Sequence, residues 1–99
     1  MPRVRYTPRS LRDLTCLYDF LAEKNLNAAR RAIQTIQKAL KLLGRHPELG
    51  HPVEDLPVEF REWVIAFGSG VYLLRYRYDG NEIVLFTIRD GREAILIAL

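Results

Sequence analysis

Polar and apolar residues alternate through Arg3-Val4-Arg5-Tyr6, a period of two that predicts a short first strand. Thr7-Pro8 stops it. Threonine caps helix N-termini and proline is favoured at the first helical position, so a helix is expected over residues 8–24. Leu11, Leu14, Leu17, Tyr18 and Leu21 follow at three- and four-residue spacings and fall on one helical face. Asn25, which tolerates the left-handed conformation, is expected to end this helix. A second helix is expected over residues 27–46, capped by Asn27. Its apolar stripe is Ala29, Ala32, Ile33, Ile36, Ala39, Leu40 and Leu43, with Arg30, Arg31, Lys38 and Lys41 covering the rest. The short break between the two makes an antiparallel helical hairpin. Both stripes, with Cys16 and the alanines, read as core. Pro47 ends the second helix, and Pro47 to Pro52 reads as a loop.

Beyond Phe60 the period changes. Residues 61–67 read as a strand, Gly68-Ser69-Gly70 as a turn and residues 71–78 as the next strand. Asp79-Gly80-Asn81 is a strong hairpin signal, and a last strand is expected over 82–89, stopping at Asp90-Gly91. The order β-α-α-β-β-β predicts one α+β domain spanning residues 1–99, an antiparallel sheet covered by a helical hairpin.

A hydrophobic fraction of 48% supports a folded globule. No apolar run approaches the ~20 residues of a membrane span, and the N-terminus lacks the apolar stretch of a signal peptide. The single Cys16 forms no internal disulfide, so a cytoplasmic location is expected, with no membrane partner. Charge is uneven. Through His46 ten Lys/Arg face three acids, a net of +7, and from Pro47 onward five arginines face nine acids, a net of −4. Such a split points to a basic face for an acidic partner or a nucleic acid.

The chemistry-bearing residues are few. His46 and His51 stand without Cys, Asp or Glu at ligand spacing, so neither a metal nor a cofactor is expected. All three lysines, at 24, 38 and 41, lie in the helical hairpin, and the sheet is expected to hold no lysine and no histidine. Arg75 and Arg77 share a strand face with Val71 and Leu73, while Tyr72, Tyr76 and Tyr78 share the other. A free tyrosine titrates near pH ~10, a poor match to proton transfer at neutrality.

Several phrases occur together in a telling order. Val4-Arg5-Tyr6-Thr7-Pro8 runs into Arg12-Asp13-Leu14, Asn27-Ala28-Ala29 opens the second helix, and Leu43, Pro47, Gly50 and Pro52 punctuate the loop after it. Arg61-Glu62, Tyr72 to Arg77, and Ile88-Arg89-Asp90-Gly91-Arg92-Glu93-Ala94 complete the series. From Val4 to Ala94 this pattern resembles the RelE/ParE superfamily of toxins. It departs from one subgroup in having Asp90 where histidine is frequent and Ile95-Leu96 where Gly-Tyr is frequent.

The resemblance implies the toxin of a type II toxin–antitoxin pair, held by a cognate antitoxin protein. It offers two mechanisms, inhibition of DNA gyrase by ParE-like members and ribosome-dependent cleavage of mRNA by RelE-like ones. In the RelE-like alignment the cationic positions of the middle strands fall at Val64, Ala66 and Leu73, which carry no charge. Gyrase inhibition by binding is therefore the expectation, with the ribosome and mRNA as the alternative target and no catalytic residue assigned. Arg61, Arg77, Arg89 and Arg92 are the expected target- or partner-binding residues. A plain nucleic-acid-binding module, using Arg30, Arg31, Lys38, Lys41 and Arg45 against phosphates, ranks last.

Overall fold

Thr7 opens the helical hairpin as its sequence suggests: its Oγ1 accepts from Ser10 N at 3.1 Å, and Pro8 occupies the first helical position. The computed structural model describes residues 3–68 and 70–91, so expectations for Arg92 and the C-terminal residues lie outside the described residues. The chain runs β1 (Val4–Tyr6), α1 (Pro8–Lys24), α2 (Leu26–Arg45), β2 (His51–Pro52), β3 (Phe60–Phe67), β4 (Gly70–Tyr78) and β5 (Ile83–Asp90). Among the described residues no helix is long and apolar enough to cross a membrane.

The strands form one sheet in the order β1-β5-β4-β3-β2, with the α1–α2 hairpin on one side. Three of the four pairings are antiparallel, as expected. The fourth is not: β1 lies parallel to β5, with Val4 opposite Ile83 and Tyr6 opposite Leu85. A three-residue alternation carries no information about the direction of its neighbour. The segment expected to be loop also contributes a strand, since His51 and Pro52 pair with Glu62 and Arg61. One of the two histidines is therefore on the sheet, contrary to the sequence reading. Prolines confine such a segment to an edge, and β2 is one.

The junction between the helices corrects two capping assignments. Asn25 is extended at φ −164°, not left-handed, and serves both helices. Its N–H donates to Leu21 O, ending α1, while its side chain accepts from Ala28 N, starting α2 at Leu26. Asn27 is not the cap. Cys16 is exposed, as is Leu11, so α1 buries a narrower stripe than its leucines suggest. Leu14, Leu17 and Leu21 pack on a core formed by Ile36, Leu40 and Leu43 of α2, Leu74 and Tyr76 of β4, and Ile83, Leu85 and Ile88 of β5.

Two side chains of the hairpin tie it to β5. Thr7 Oγ1 donates to Phe86 O at 3.2 Å, and Asp13 Oδ2 accepts from Ile88 N at 3.0 Å. Between them the β4–β5 register slips, with Arg75 opposite Thr87 but Tyr76 opposite Leu85, so Phe86 is the extra residue of a bulge. Asp13 supplies the partner that the displaced Ile88 amide needs.

Candidate functional site

One face of the sheet packs on the helices and the other is open. Residues opposite one another across antiparallel strands share a face, so the registers assign every side chain. Trp63, Ile65, Tyr72, Leu74, Tyr76 and Ile88 face the helices. On the open face three rows cross from β3 through β4 to β5: Phe60–Arg77–Val84, Glu62–Arg75–Thr87 and Val64–Leu73–Arg89. The bulge turns Phe86 to the open face as well, where its ring lies 5.6 Å from that of Phe60.

The arginines divide sharply by engagement. Arg75 Nη2 donates to Glu62 Oε2 at 3.1 Å, and Arg5 pairs with Glu82 at the same distance. Arg77 and Arg89 form no ion pair and no hydrogen bond among the described residues. The carboxyl of Asp79 is held below its usual range by the backbone N–H groups of Glu82 and Asn81, and Arg77 adds only a weaker attraction. Arg61 points the other way. It lies opposite Tyr76 on the helix side, and its Nη1 donates to Gly50 O at 2.7 Å. Of the four arginines singled out in the sequence, the structure brings Arg77 and Arg89 to one face, turns Arg61 to the loop and does not describe Arg92.

Tyr76 is structural. Tyr76 Oη donates to Pro47 O at 2.7 Å and accepts from Gly50 N at 2.9 Å. With Arg61 it pins the loop that leads to β2, and a Cβ on Gly50 would stand only 2.8 Å from the Tyr76 ring and hydroxyl. Burial raises the Tyr76 hydroxyl above its ordinary pKa of 10.0, outweighing the Gly50 hydrogen bond and the nearby Arg61 guanidinium. The native state therefore favours the protonated phenol. Its contribution to stability is complete below pH 10 and is lost as pH rises through the elevated value. Stability measured by urea titration should fall above pH 10, and Tyr76→Phe should flatten that fall. An unchanged slope in the variant would assign the alkaline loss elsewhere, first to Tyr6, which burial also raises.

Sequence reading missed what the open face adds to its arginines: the apolar Val64 and Leu73, the Phe60–Phe86 pair, and His51 beside Glu62 and Arg75. Val64 is 47% exposed, unusual for a valine in the middle of a strand. Alternation along β3 did carry that signal, but which face would be covered depends on the helices. No group of three or more His, Cys, Asp or Glu among the described residues has metal-holding geometry.

Comparison with known proteins agrees with this architecture. The family model described as the ParE toxin of the type II toxin–antitoxin system parDE matches residues 4–95. Toxin RelE3 of Caulobacter vibrioides is 34% identical over 93 residues, covering 94% of this chain and 98% of the relative. Toxin RelE1 of the same organism is 33% identical over 85 residues, covering 86% and 88%. A solved structure described as the chromosomal ParDE TA system from P. aeruginosa superposes with a TM-score of 0.70 at 24% identity, over 91% of this chain and 96% of that one. At that identity the superposition speaks to the fold. The match to the family model runs through nearly the whole chain, and the chain belongs to the ParE toxin family of type II toxin–antitoxin systems.

Proposed function

We propose that this toxin acts in the cytoplasm by binding DNA gyrase through the open face of its sheet, and that a cognate antitoxin neutralises it. The observation that carries the reading is the pairing of cations free of ion pairs among the described residues with apolar side chains that are half-buried or, at Val64, exposed. Arg77 and Arg89 stand free of ion pairs among the described residues, beside Phe60, Leu73 and Val64. A few arginine and aromatic anchors around a desolvated centre are what a protein interface requires. Catalysis would require a base and an acid placed at a reacting phosphate. Here Tyr76 is bound at both its donor and acceptor sides, Tyr72 is buried on the helix side, and Val64, Ala66 and Leu73 bear no charge. Arg61, held at the loop, contributes to binding by fixing the sheet edge, and Arg92, three positions after Arg89 in the sequence, is a further candidate for contact with the target.

Cleavage of mRNA on the ribosome is the second reading, and one feature favours it. His51, Glu62 and Arg75 form a row across the open face, a histidine and a carboxylate beside a cation. Two of the relatives also carry the RelE name. Expression of the toxin without its antitoxin separates the readings. Filamentation and DNA damage with intact mRNA are expected, whereas rapid transcript cleavage at ribosome-occupied codons, abolished by His51→Ala, would transfer the assignment to the ribonuclease.

A further inference from the structure

Helix α2 carries Arg30, Arg31, Lys38, Lys41 and Arg45, and between Leu26 and Arg45 it has neither an acidic nor an aromatic residue. Its core side is Ala29, Ala32, Ile36, Ala39 and Leu43, all buried. Arg31, Gln34, Lys38, Lys41 and Arg45 repeat the same three- and four-residue spacing two positions later. That offset is about 200° around the helix, so they form the opposite crest. All five, and Arg30, are exposed. No cationic side chain of α2 forms an ion pair or a hydrogen bond among the described residues. No carboxylate lines the hollow between α2 and β1.

Like charges three and four residues apart, as at Lys38, Lys41 and Arg45, weaken a helix. A polyanion would relieve the repulsion. From Arg31 to Arg45 the crest runs about 21 Å, enough to span several phosphates of a duplex, whose charges come every ~1.7 Å of axis. Viewed down the helix, Arg30 and Lys41 fall on one flank of the crest and Arg31 and Lys38 on the other, with Gln34 between them. The major groove of B-DNA, about 12 Å wide, admits an α-helix, and cations on both flanks would then meet both phosphate walls. Other polyanions fit less well. The face has no aromatic platform on which a single strand could stack. The major groove of duplex RNA is too narrow for a helix. The apolar side of α2 lies in the core and is not free to enter a lipid surface.

We infer that the exposed crest of α2 is a binding site for double-stranded DNA, held chiefly through its phosphates. The site is separate from the open face of the sheet. Ile36, Leu40 and Leu43 of α2 pack on the helix side of the sheet, whereas Arg77 and Arg89 stand on the other. The toxin can therefore hold DNA on one side and a protein target on the other at the same time. The inference stands on α2 alone, whichever target the open face takes.

Purified toxin titrated against a fluorescent DNA duplex of mixed sequence, in the absence of gyrase and over a range of salt concentrations, tests this. If about four phosphates are neutralised, the logarithm of the affinity should fall with the logarithm of salt at a slope of about −3 to −4. Lys38→Gln with Lys41→Gln, two changes at exposed helix positions, should lower the affinity at least about tenfold and flatten the slope by about two. The circular dichroism of this variant should be that of the wild type. Charge removal on the other side of the molecule, Arg77→Gln with Arg89→Gln, should leave DNA affinity unchanged. Affinity and slope unaltered in the α2 variant overturn the inference, as does an equal loss in the Arg77/Arg89 variant, which would move the site to the open face. Binding as tight or tighter to a single strand, to an RNA duplex of the same length or to phosphatidylglycerol vesicles overturns it in favour of that partner. No binding to the duplex at low salt overturns it outright.

Discussion

Replacing Arg77 and Arg89 together by alanine should abolish growth inhibition while leaving the toxin folded and still bound by its antitoxin. Each guanidinium is unengaged by ion pairs among the described residues, so neither removal strands a buried partner. If each is an interface anchor, its truncation costs about 2 kcal/mol. They lie four residues of strand apart, since Leu73 neighbours Arg89 and Arg77 follows on β4, a separation of about 13 Å. At that spacing the two losses should add, lowering target affinity by close to three orders of magnitude, or about 4 kcal/mol. Titration of the purified variant against gyrase, with melting temperature as the control for folding, checks this. Full toxicity in the double variant would move the working surface off the open face.

Tyr76→Ala is expected to be the most destabilising of the single changes considered. The ring is fully buried at the centre of the core, and its hydroxyl holds both Pro47 and Gly50. Removing a buried aromatic side chain costs about 3–5 kcal/mol through lost burial and the cavity left behind, a large part of the ~5–15 kcal/mol that stabilises a small domain. Thermal unfolding should shift downward by more than about 15 °C. Tyr76→Phe isolates the hydroxyl: it keeps the packing, strands the Gly50 amide and should cost about 1–3 kcal/mol. Equal losses for the two variants would show that the ring contributes little, contrary to its position.

Much of the fold was legible because its elements announce themselves locally. Thr7-Pro8 starts a helix for reasons contained in those two residues, and Asp79-Gly80 turns the chain because Gly80 accepts φ +91° and Asp79 Oδ1 accepts from Asn81 N and Glu82 N. Alternation along β4 separated arginines from tyrosines before any partner strand was known, and the registers bear that out. What could not be read was set by distant groups. The parallel pairing of β1 depends on β5, nearly eighty residues away, and the strand character of His51 and Pro52 on the exposed edge of β3. The same limit applied to the site. Arg61 and Arg77 look alike in the sequence, yet Arg61 meets the Gly50 carbonyl whereas Arg77 meets solvent and Phe60. Asp13, one acid among several on α1, proved to hold the amide beside the β5 bulge. Nothing in its neighbours along the helix marks that role.

A supercoiling assay with purified gyrase, relaxed plasmid, ATP and purified toxin, in the absence of ribosomes, tests whether this toxin inhibits gyrase by binding. The wild-type toxin should block supercoiling, the Arg77→Ala/Arg89→Ala variant should not, and His51→Ala should behave as wild type. Undiminished supercoiling at a clear molar excess of wild-type toxin, together with transcripts cut when ribosomes are supplied, would contradict the account.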